Sequence, residues 1–538
     1  MTTTTTSDTQ APGAPALTFG VEIECLTPWL YEDDEDPHGD VEGLPPPFRV
    51  SREAVESSAF FSANLFAENL IYREIKATLV GLGLSSTLVE KKDLSKGDSS
   101  KNSDEGENGG LENYAEWRVE DDISVRQVES HGYETSIRQY ARTVQWIGVE
   151  IQSPVEVASG GSTGAGAFDA IRYAVNVLKS KYRLRINNSC SVHVHVGLGE
   201  ERMPLDKVRR LGALCYAADL LLFTLHDPLR RASSHCRPIR EYSNLSRLLG
   251  MTPRHAENAT TLSNCVRYLG ADVRYGEAPI TWRERNQDEA TVKAFERTRR
   301  PGHFEPFVPS VEGDEEEPLA KKLDDLSVLD NKLPSPKPGP ARNISAPRQP
   351  VRARALMRIA FPKLTDSELR ALRGRTGSLS QRPGLGMRGV KPVPPRGQLP
   401  VMEATRRIFE AESSCEVSQM LSVGGQRRGS ISFNNYECRS IAQEPSDGDK
   451  PTVEFRLASA SLDGEWIATW ARICAGVVRF ALYASPTEYL DVIKRMDGAE
   501  YDVIDLLDDL GLIAEAEVAE RRLQQNREEW GLKFVDSK

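Results

Sequence analysis

Phe19-Gly20-Val21-Glu22-Ile23-Glu24-Cys25 alternates apolar and acidic residues, and the same two-residue rhythm returns at Val192-His193-Val194-His195-Val196 and at Val453-Glu454-Phe455-Arg456-Leu457. Successive side chains of a β-strand point to opposite faces, so residues two apart share a face about 6–7 Å apart. Glu22 then lies beside Glu24, His193 beside His195, and Glu454 beside Arg456. Their apolar neighbours line the opposite face, where a core is expected. If the three strands belong to one sheet, its polar face carries three carboxylates, two imidazoles and a guanidinium. That inventory suits divalent cations and phosphates.

Working outward, strands and helices alternate. Trp117-Arg118-Val119 reads as a strand running into a turn at Asp121-Asp122, and Trp146 to Ile151 reads as another strand. Helical spacing of apolar residues runs from Val55 to Leu82, from Phe168 to Leu178 and from Leu205 to Leu225. Ser461-Leu462-Asp463 is a cap signal before an apolar helix from Trp466 to Tyr483. A single amphipathic helix is expected over 502–525. The acidic run Tyr31 to Asp36, followed by Pro45-Pro46-Pro47, reads as a solvated loop.

Composition sets the limits. The chain has 538 residues, 39% of them hydrophobic, and a formal net charge of −11. That balance does not favour nucleic acid as a general partner. A mean hydropathy of −0.45 points to disordered stretches. Residues 1–16 read as a disordered tail, 17–284 as the first part of a folded unit, and 285–400 as a disordered insertion rich in charge and proline. Residues 401–538 read as the second part of that unit, with C-terminal helices. Within the insertion, residues 342–396 carry thirteen Lys and Arg against Asp366 and Glu368, a net of +11. Such a basic arm suits an acidic partner or RNA, a localisation signal, or a tether folded back on the acidic body. No apolar run reaches membrane length, and the first residues lack a signal-peptide pattern. Eight cysteines show no CxxC spacing. Together these favour a cytoplasmic chain with reduced thiols, and the basic arm would also suit a nuclear address.

His193-x-His195 occurs in three chemistries. Cupins follow HxH with a Glu, and Glu200 stands at the longer of their spacings. Barrel metal hydrolases carry HxH at a strand end, and ATP-dependent ligases of the glutamine synthetase kind carry it within a strand. A cupin needs one more His in a β context, whereas His226 and His235 flank a helix end and His303 falls in the insertion. A barrel hydrolase has no use for Glu-x-Glu and Glu-x-Arg strands. A mostly carboxylate site suits Mg²⁺ or Mn²⁺ bridging phosphate oxygens, with Arg456 neutralising a phosphoryl group.

Several ordered blocks resemble the amidoligase family, a branch of the glutamine synthetase and glutamate–cysteine ligase superfamily. They are Phe19 to Glu24; Trp117 with Asp122 and Ser124; Gly148 to Pro154; Cys190 to Val196; His226 to Arg231; and Glu454-Phe455-Arg456 with Leu462-Asp463 and Trp470. The resemblance implies an α+β fold with a mainly antiparallel, curved sheet, helices on one face, and a glutamine synthetase-like catalytic arrangement. It implies an enzyme that uses ATP to phosphorylate a small-molecule or peptide carboxylate, with an amine or ammonia then displacing phosphate. By this resemblance Glu22, Glu24, Glu150, His193 and Glu454 would bind metal, and His195 and Arg456 would contact ATP phosphates. Asp122 would position or deprotonate the amine, and Arg230 and Arg231 would anchor an anionic group. The chain departs from the pattern at Ser191, where the family usually has Gly, and at Leu457-Ala458 and Ala460-Ser461, where it usually has Gln-His and Gly-Thr. These departures leave room for a non-catalytic binding or scaffold protein on the same fold.

Overall fold

The structure, a computed structural model, describes residues 16–58, 62–84, 114–122, 124–125, 144–158, 165–233, 236–247, 399–411, 414–423, 429–436, 452–498, 500–530 and 532. The expected tail up to residue 15 and the insertion up to residue 398, with its basic arm, therefore lie outside the described residues.

One eight-stranded sheet organises them. Its centre is β1 (Thr18–Tyr31), flanked by β4 (Gln145–Gln152) and β6 (Ser191–Gly197). Beyond β4 lies β3 (Arg118–Glu120). Beyond β6 come β8 (Val453–Ser459) and then β7 (Ile431–Ser432). Two short strands, β2 (Phe48–Val50) and β5 (Glu156–Val157), pair with the ends of β1. Every pairing is antiparallel except β1 with β2. With its helices the chain is α+β, and the three alternating segments do share one sheet.

The helices are α1 (Arg52–Ser57), α2 (Ala63–Gly81), α3 (Ala165–Lys181), α4 (Leu205–Phe223), α5 (Pro228–Ala232), α6 (Ile239–Tyr242) and α7 (Asn244–Arg247) in the first part. The second part adds α8 (Val401–Glu410), α9 (Ser414–Leu421), α10 (Gly464–Tyr483), α11 (Pro486–Arg495), α12 (Val503–Asp509) and α13 (Ile513–Gln525). The apolar alternates of the strands, among them Phe19, Val21, Ile23, Val192, Val194, Phe455 and Leu457, are buried in one core. Helix α10, capped by Asp463 as its sequence suggested, packs on α3 and α4 and against β1 and β6. Phe168 of α3 stacks on Phe19 with ring centroids 4.3 Å apart, which seats that helix on the apolar face.

Three local expectations are corrected. The helix read from 55 to 82 is two helices, because Ser58 caps the end of α1 and the Ser62 hydroxyl accepts from Leu65 N–H to start α2. The helix read over 502–525 is also two, α12 and α13, because Gly511 turns the chain at φ 75°. The acidic run is not wholly solvated: Asp36 forms an ion pair at 2.7 Å with Arg183, whose side chain is 5% exposed. Helix α11 was missed, although Ser485-Pro486-Thr487-Glu488 spells a capping box with proline at the first helical position.

A buried polar pin fastens α4 behind the strand that carries Arg456. The Asp219 carboxyl accepts from the Ser430 hydroxyl and from Arg240 N–H. Ser430 Oγ in turn accepts from Ile239 N–H, and Ser430 C=O accepts from Arg456 N–H at 2.7 Å. Burial pushes the Asp219 carboxyl up to about 7, against the pull of those hydrogen bonds. Its folded-state pKa is thus above the unfolded value, so its contribution to stability is complete below about pH 4 and is lost as pH rises to about 7. Asp219→Asn is expected to remove up to about 1.4 kcal/mol per pH unit of slope in that window. Urea denaturation of both proteins across the window measures it, and equal slopes would refute the assignment.

Candidate active site

The sheet register brings the polar alternates together. Glu22 lies opposite Gln152 on one side and His193 on the other. Glu24 faces Glu150, and His195 sits between Gly20 and Glu454. Strand β8 carries an irregularity here. Val194 pairs with Phe455 but Val192 pairs with Ala458, so one extra residue of β8 stands opposite His193. Such a bulge breaks alternation. Leu457 and Ala458 are consequently both buried, just past Arg456.

Two clusters result, each with three ligand atoms within 4.8 Å of one another. The first is Glu22, His193 and Glu454. His193 Nδ1 lies 3.0 Å from Glu22 Oε2 and 3.7 Å from Glu454 Oε1. His195 flanks this cluster, with Nε2 3.1 Å from Glu22 Oε1 and Nδ1 3.0 Å from Thr452 Oγ1. The Arg456 guanidinium donates to Glu454 Oε1.

The second cluster is Glu24, Asp122 and Glu150. Asp122 arrives from the loop after β3, which crosses the sheet at Gly148. A Cβ on Gly148 would stand 2.5 Å from the Val125 carbonyl oxygen, so only glycine lets the loop lie this close. Glu150 Oε1 accepts from Gln152 Nε2 at 2.7 Å. Glu24 Oε2 accepts from the Ser191 hydroxyl at 2.7 Å, while Glu24 Oε1 is buried without a hydrogen bond, with His193 Nε2 3.6 Å away. A buried, unpartnered carboxylate oxygen is costly unless something positive fills the gap.

The charges are unequal. Burial and the neighbouring carboxylates push Glu150 up to about 8, and burial also raises Glu24. Burial works against ionisation of Glu22 too, but the imidazoles of His195 and His193 outweigh it and hold that carboxyl well below the usual range. Glu454 is likewise held down, by Arg456 first and then both imidazoles, against its burial. Hydrogen bonds at Ser124 outweigh burial at Asp122 and lower it. Desolvation opposes charge on His195, yet Glu22 and Glu454 raise it to about 9. Five carboxyl groups and one imidazole, with one carboxylate oxygen orphaned, form a hard-oxygen donor set that fits Mg²⁺ or Mn²⁺.

Of the expected site residues, Glu22, Glu24, Asp122, Glu150, His193, His195, Glu454 and Arg456 converge here. Asp122 joins the carboxylates rather than standing apart from them. Arg230 is buried, with Nη2 donating to the Arg456 carbonyl at 2.8 Å and its charge acting on Glu24. Arg231 is buried and ion-paired with Glu241 of α6. Sequence reasoning missed Ser191, Gln152 and Thr452 as partners of the site. Ser191 carried a signal, since a hydroxyl next to an HxH strand is placed to bond the first ring. Glu200 is exposed beyond β6 and belongs to neither cluster.

Residues 15–261 match a family model described as "putative amidoligase enzyme", the family whose blocks the sequence resembles. The matched segment supplies β1, β3, β4 and β6, whereas Glu454 and Arg456 lie beyond it. No curated protein matches the chain, and no solved structure does. Among the described residues no helix is long and apolar enough to cross a membrane.

Proposed function

We propose that this chain is an ATP- and Mg²⁺-dependent carboxylate–amine ligase, with a glutamine synthetase-like catalytic arrangement and an acyl-phosphate intermediate. The observation that carries this reading is the pair of clusters, Glu22–His193–Glu454 and Glu24–Asp122–Glu150, side by side on one sheet face. The amidoligase match over the strands that supply most of it supports the same reading. A carboxylate oxygen of the substrate would attack the terminal phosphorus of ATP, releasing ADP. The amine nitrogen or ammonia would then attack the acyl carbon, releasing phosphate and one proton.

In this reading Glu22, His193 and Glu454 hold one cation and Glu24, Asp122 and Glu150 another. Bound Mg²⁺ would supply charge neutralisation on phosphate oxygens. Arg456, kept charged beside Glu454, and His195, charged between Glu22 and Glu454, donate to the transferring phosphoryl group. Arg230 supports the Arg456 backbone from below and adds positive potential toward an anionic substrate. We propose no substrate contact for Arg231 while its guanidinium is held by Glu241. The carboxylate partner is a small molecule or a peptide, and the basic arm at 342–396 would suit an acidic partner.

The test is release of ADP, rather than AMP, from Mg²⁺-ATP with pooled amino acids, peptides and polyamines. Calorimetry showing no nucleotide binding with Mg²⁺ or Mn²⁺ would favour a non-catalytic scaffold. Leu457 and Ala458, buried where the family pattern has Gln-His, are the observation on that side.

Cation binding also has a proton signature. At pH 7 the ion-free Glu150 carboxyl, raised to about 8, holds a proton that a cation must expel. Titration of Mg²⁺ at pH 7 is expected to release close to one proton, seen as a binding enthalpy that varies with the buffer's ionisation enthalpy. At pH 9 the Glu150 share of that release is expected to fade. Equal enthalpies in all buffers at pH 7 would refute a cation at Glu150.

A further inference from the structure

We propose that Ser191 is a positioning residue that bridges the two clusters and fixes the tautomer of His193. This inference rests on the cation-binding reading above. Ser191 is 2% exposed, and its Oγ stands 2.7 Å from Glu24 Oε2 and 2.8 Å from His193 Nε2.

A hydroxyl has one proton to donate, and an ionised carboxylate only accepts. With Glu24 serving as a cation ligand, the Ser191 proton is committed to Glu24. The contact with the ring must then run the other way, from His193 Nε2–H to the Ser191 oxygen. A neutral imidazole carries one N–H, so Nδ1 keeps its lone pair. That lone pair faces Glu22 Oε2 at 3.0 Å and Glu454 Oε1 at 3.7 Å, both of them acceptors. Nδ1, Glu22 Oε2 and Glu454 Oε1, the last also receiving the Arg456 guanidinium, converge as acceptors in an arrangement that suits a divalent cation.

Ser191 therefore does two things at once. It gives buried Glu24 its one hydrogen-bond donor, since Glu24 Oε1 has none. It also commits Nδ1, rather than Nε2, to the neighbouring cluster. Glycine, which the family pattern usually carries at this position, cannot form this bridge. In this chain the ligand of one cluster is thereby tied to the ligand of the other.

The experiment uses the full-length chain, with MnCl₂ titrations by calorimetry and ¹⁵N spectra of histidine-labelled protein in saturating Mg²⁺. Ser191→Ala is expected to weaken Mn²⁺ binding about 10- to 100-fold, the usual cost of removing a partner that orients a metal-bound imidazole. The wild-type spectrum is expected to place the His193 proton on Nε2, and Ser191→Ala to lose that preference. Ser191→Thr keeps a hydroxyl on a β-branched residue suited to a strand, and is expected to restore both readouts. A wild-type proton on Nδ1, an Ala variant with unchanged affinity and tautomer, or an affinity loss that Thr does not restore would each overturn the bridge alone. Wild-type protein that binds neither Mn²⁺ nor Mg²⁺ would overturn the cation reading and the bridge with it.

Discussion

Glu22→Gln, Glu24→Gln, His193→Ala and Glu454→Gln are each expected to lower turnover in the Mg²⁺-ATP assay by more than about 100-fold. Even groups outside a metal's ligand set typically contribute about 10–100-fold, and in the proposed function these four would supply the ligand atoms themselves. Each Gln variant keeps the size of the side chain and deletes one negative charge from a crowded face. Like charges at close range disfavour one another's ionisation, so Glu24→Gln is expected to fold as well as the parent, whereas Glu22→Gln and Glu454→Gln also give up charge pairs with His193, His195 and Arg456 and are expected to fold with some loss of stability. Glu22→Gln has a second effect. His195 owes its raised pKa first to Glu22, so its charge at neutral pH falls along with the ligand. Glu200→Gln is the control, expected to leave turnover unchanged because Glu200 stands exposed outside both clusters. Near-normal turnover in any two of the four variants would remove the ligand assignment, and damage from Glu200→Gln would revive a cupin-like reading.

The second large effect is expected from a residue with no side chain. Gly148→Ala would set a Cβ 2.5 Å from the Val125 carbonyl oxygen and 3.0 Å from Val125 Cβ. The loop must move, and it carries Asp122, whose C=O accepts from Val125 N–H at 3.0 Å. Overpacking of this kind costs about 1–3 kcal/mol of stability. The functional loss is expected to be larger, on the order of 100-fold in turnover, because a shift of about 1 Å in a positioning group has that weight. The Mg²⁺ concentration needed for half-maximal turnover should rise as well. Gly166→Ala, at the start of α3 with nothing within 4 Å of its added carbon, is the matched control. Normal turnover in Gly148→Ala would show that Asp122 has no part in the site.

The polar face was legible because alternation is a local rule. Glu22, Glu24, His193, His195 and Glu454 needed only their own strands to declare a face, and the apolar alternates declared the core. The periodicity that gave α3, α4 and α10 is equally local. What escaped notice depends on pairs far apart in the chain. Ser191 looked like a departure from a pattern because its partner, Glu24, is 167 residues away. The bulge in β8 is invisible in Glu454 to Ala458, since only pairing with β6 reveals the extra residue. Asp36 looked solvated because the burial of Arg183 cannot be read from an acidic run. The split at Gly511 was a missed local signal, for glycine after an apolar helical stretch commonly ends a helix.

The position of β8 in the sheet has a consequence for biosynthesis. Strand β6 has β1 on one side and β8 on the other, and His195 contacts a threonine 257 residues downstream. Closing so long a span is thermodynamically mild, because each doubling of loop length costs only about 0.6 kcal/mol. Its kinetic cost falls on the nascent chain. At about 5–20 residues per second, tens of seconds separate emergence of β6 from emergence of α10. Throughout that interval β6 is an open edge, with a row of unpaired amides and Val192, Val194 and Val196 not yet covered. A ribosome that stalls between them releases a product holding Glu22, Glu24 and His193 but lacking Glu454, and with a sticky strand where β8 belongs. The strand that carries Glu454 is therefore also the one that covers the open edge of β6.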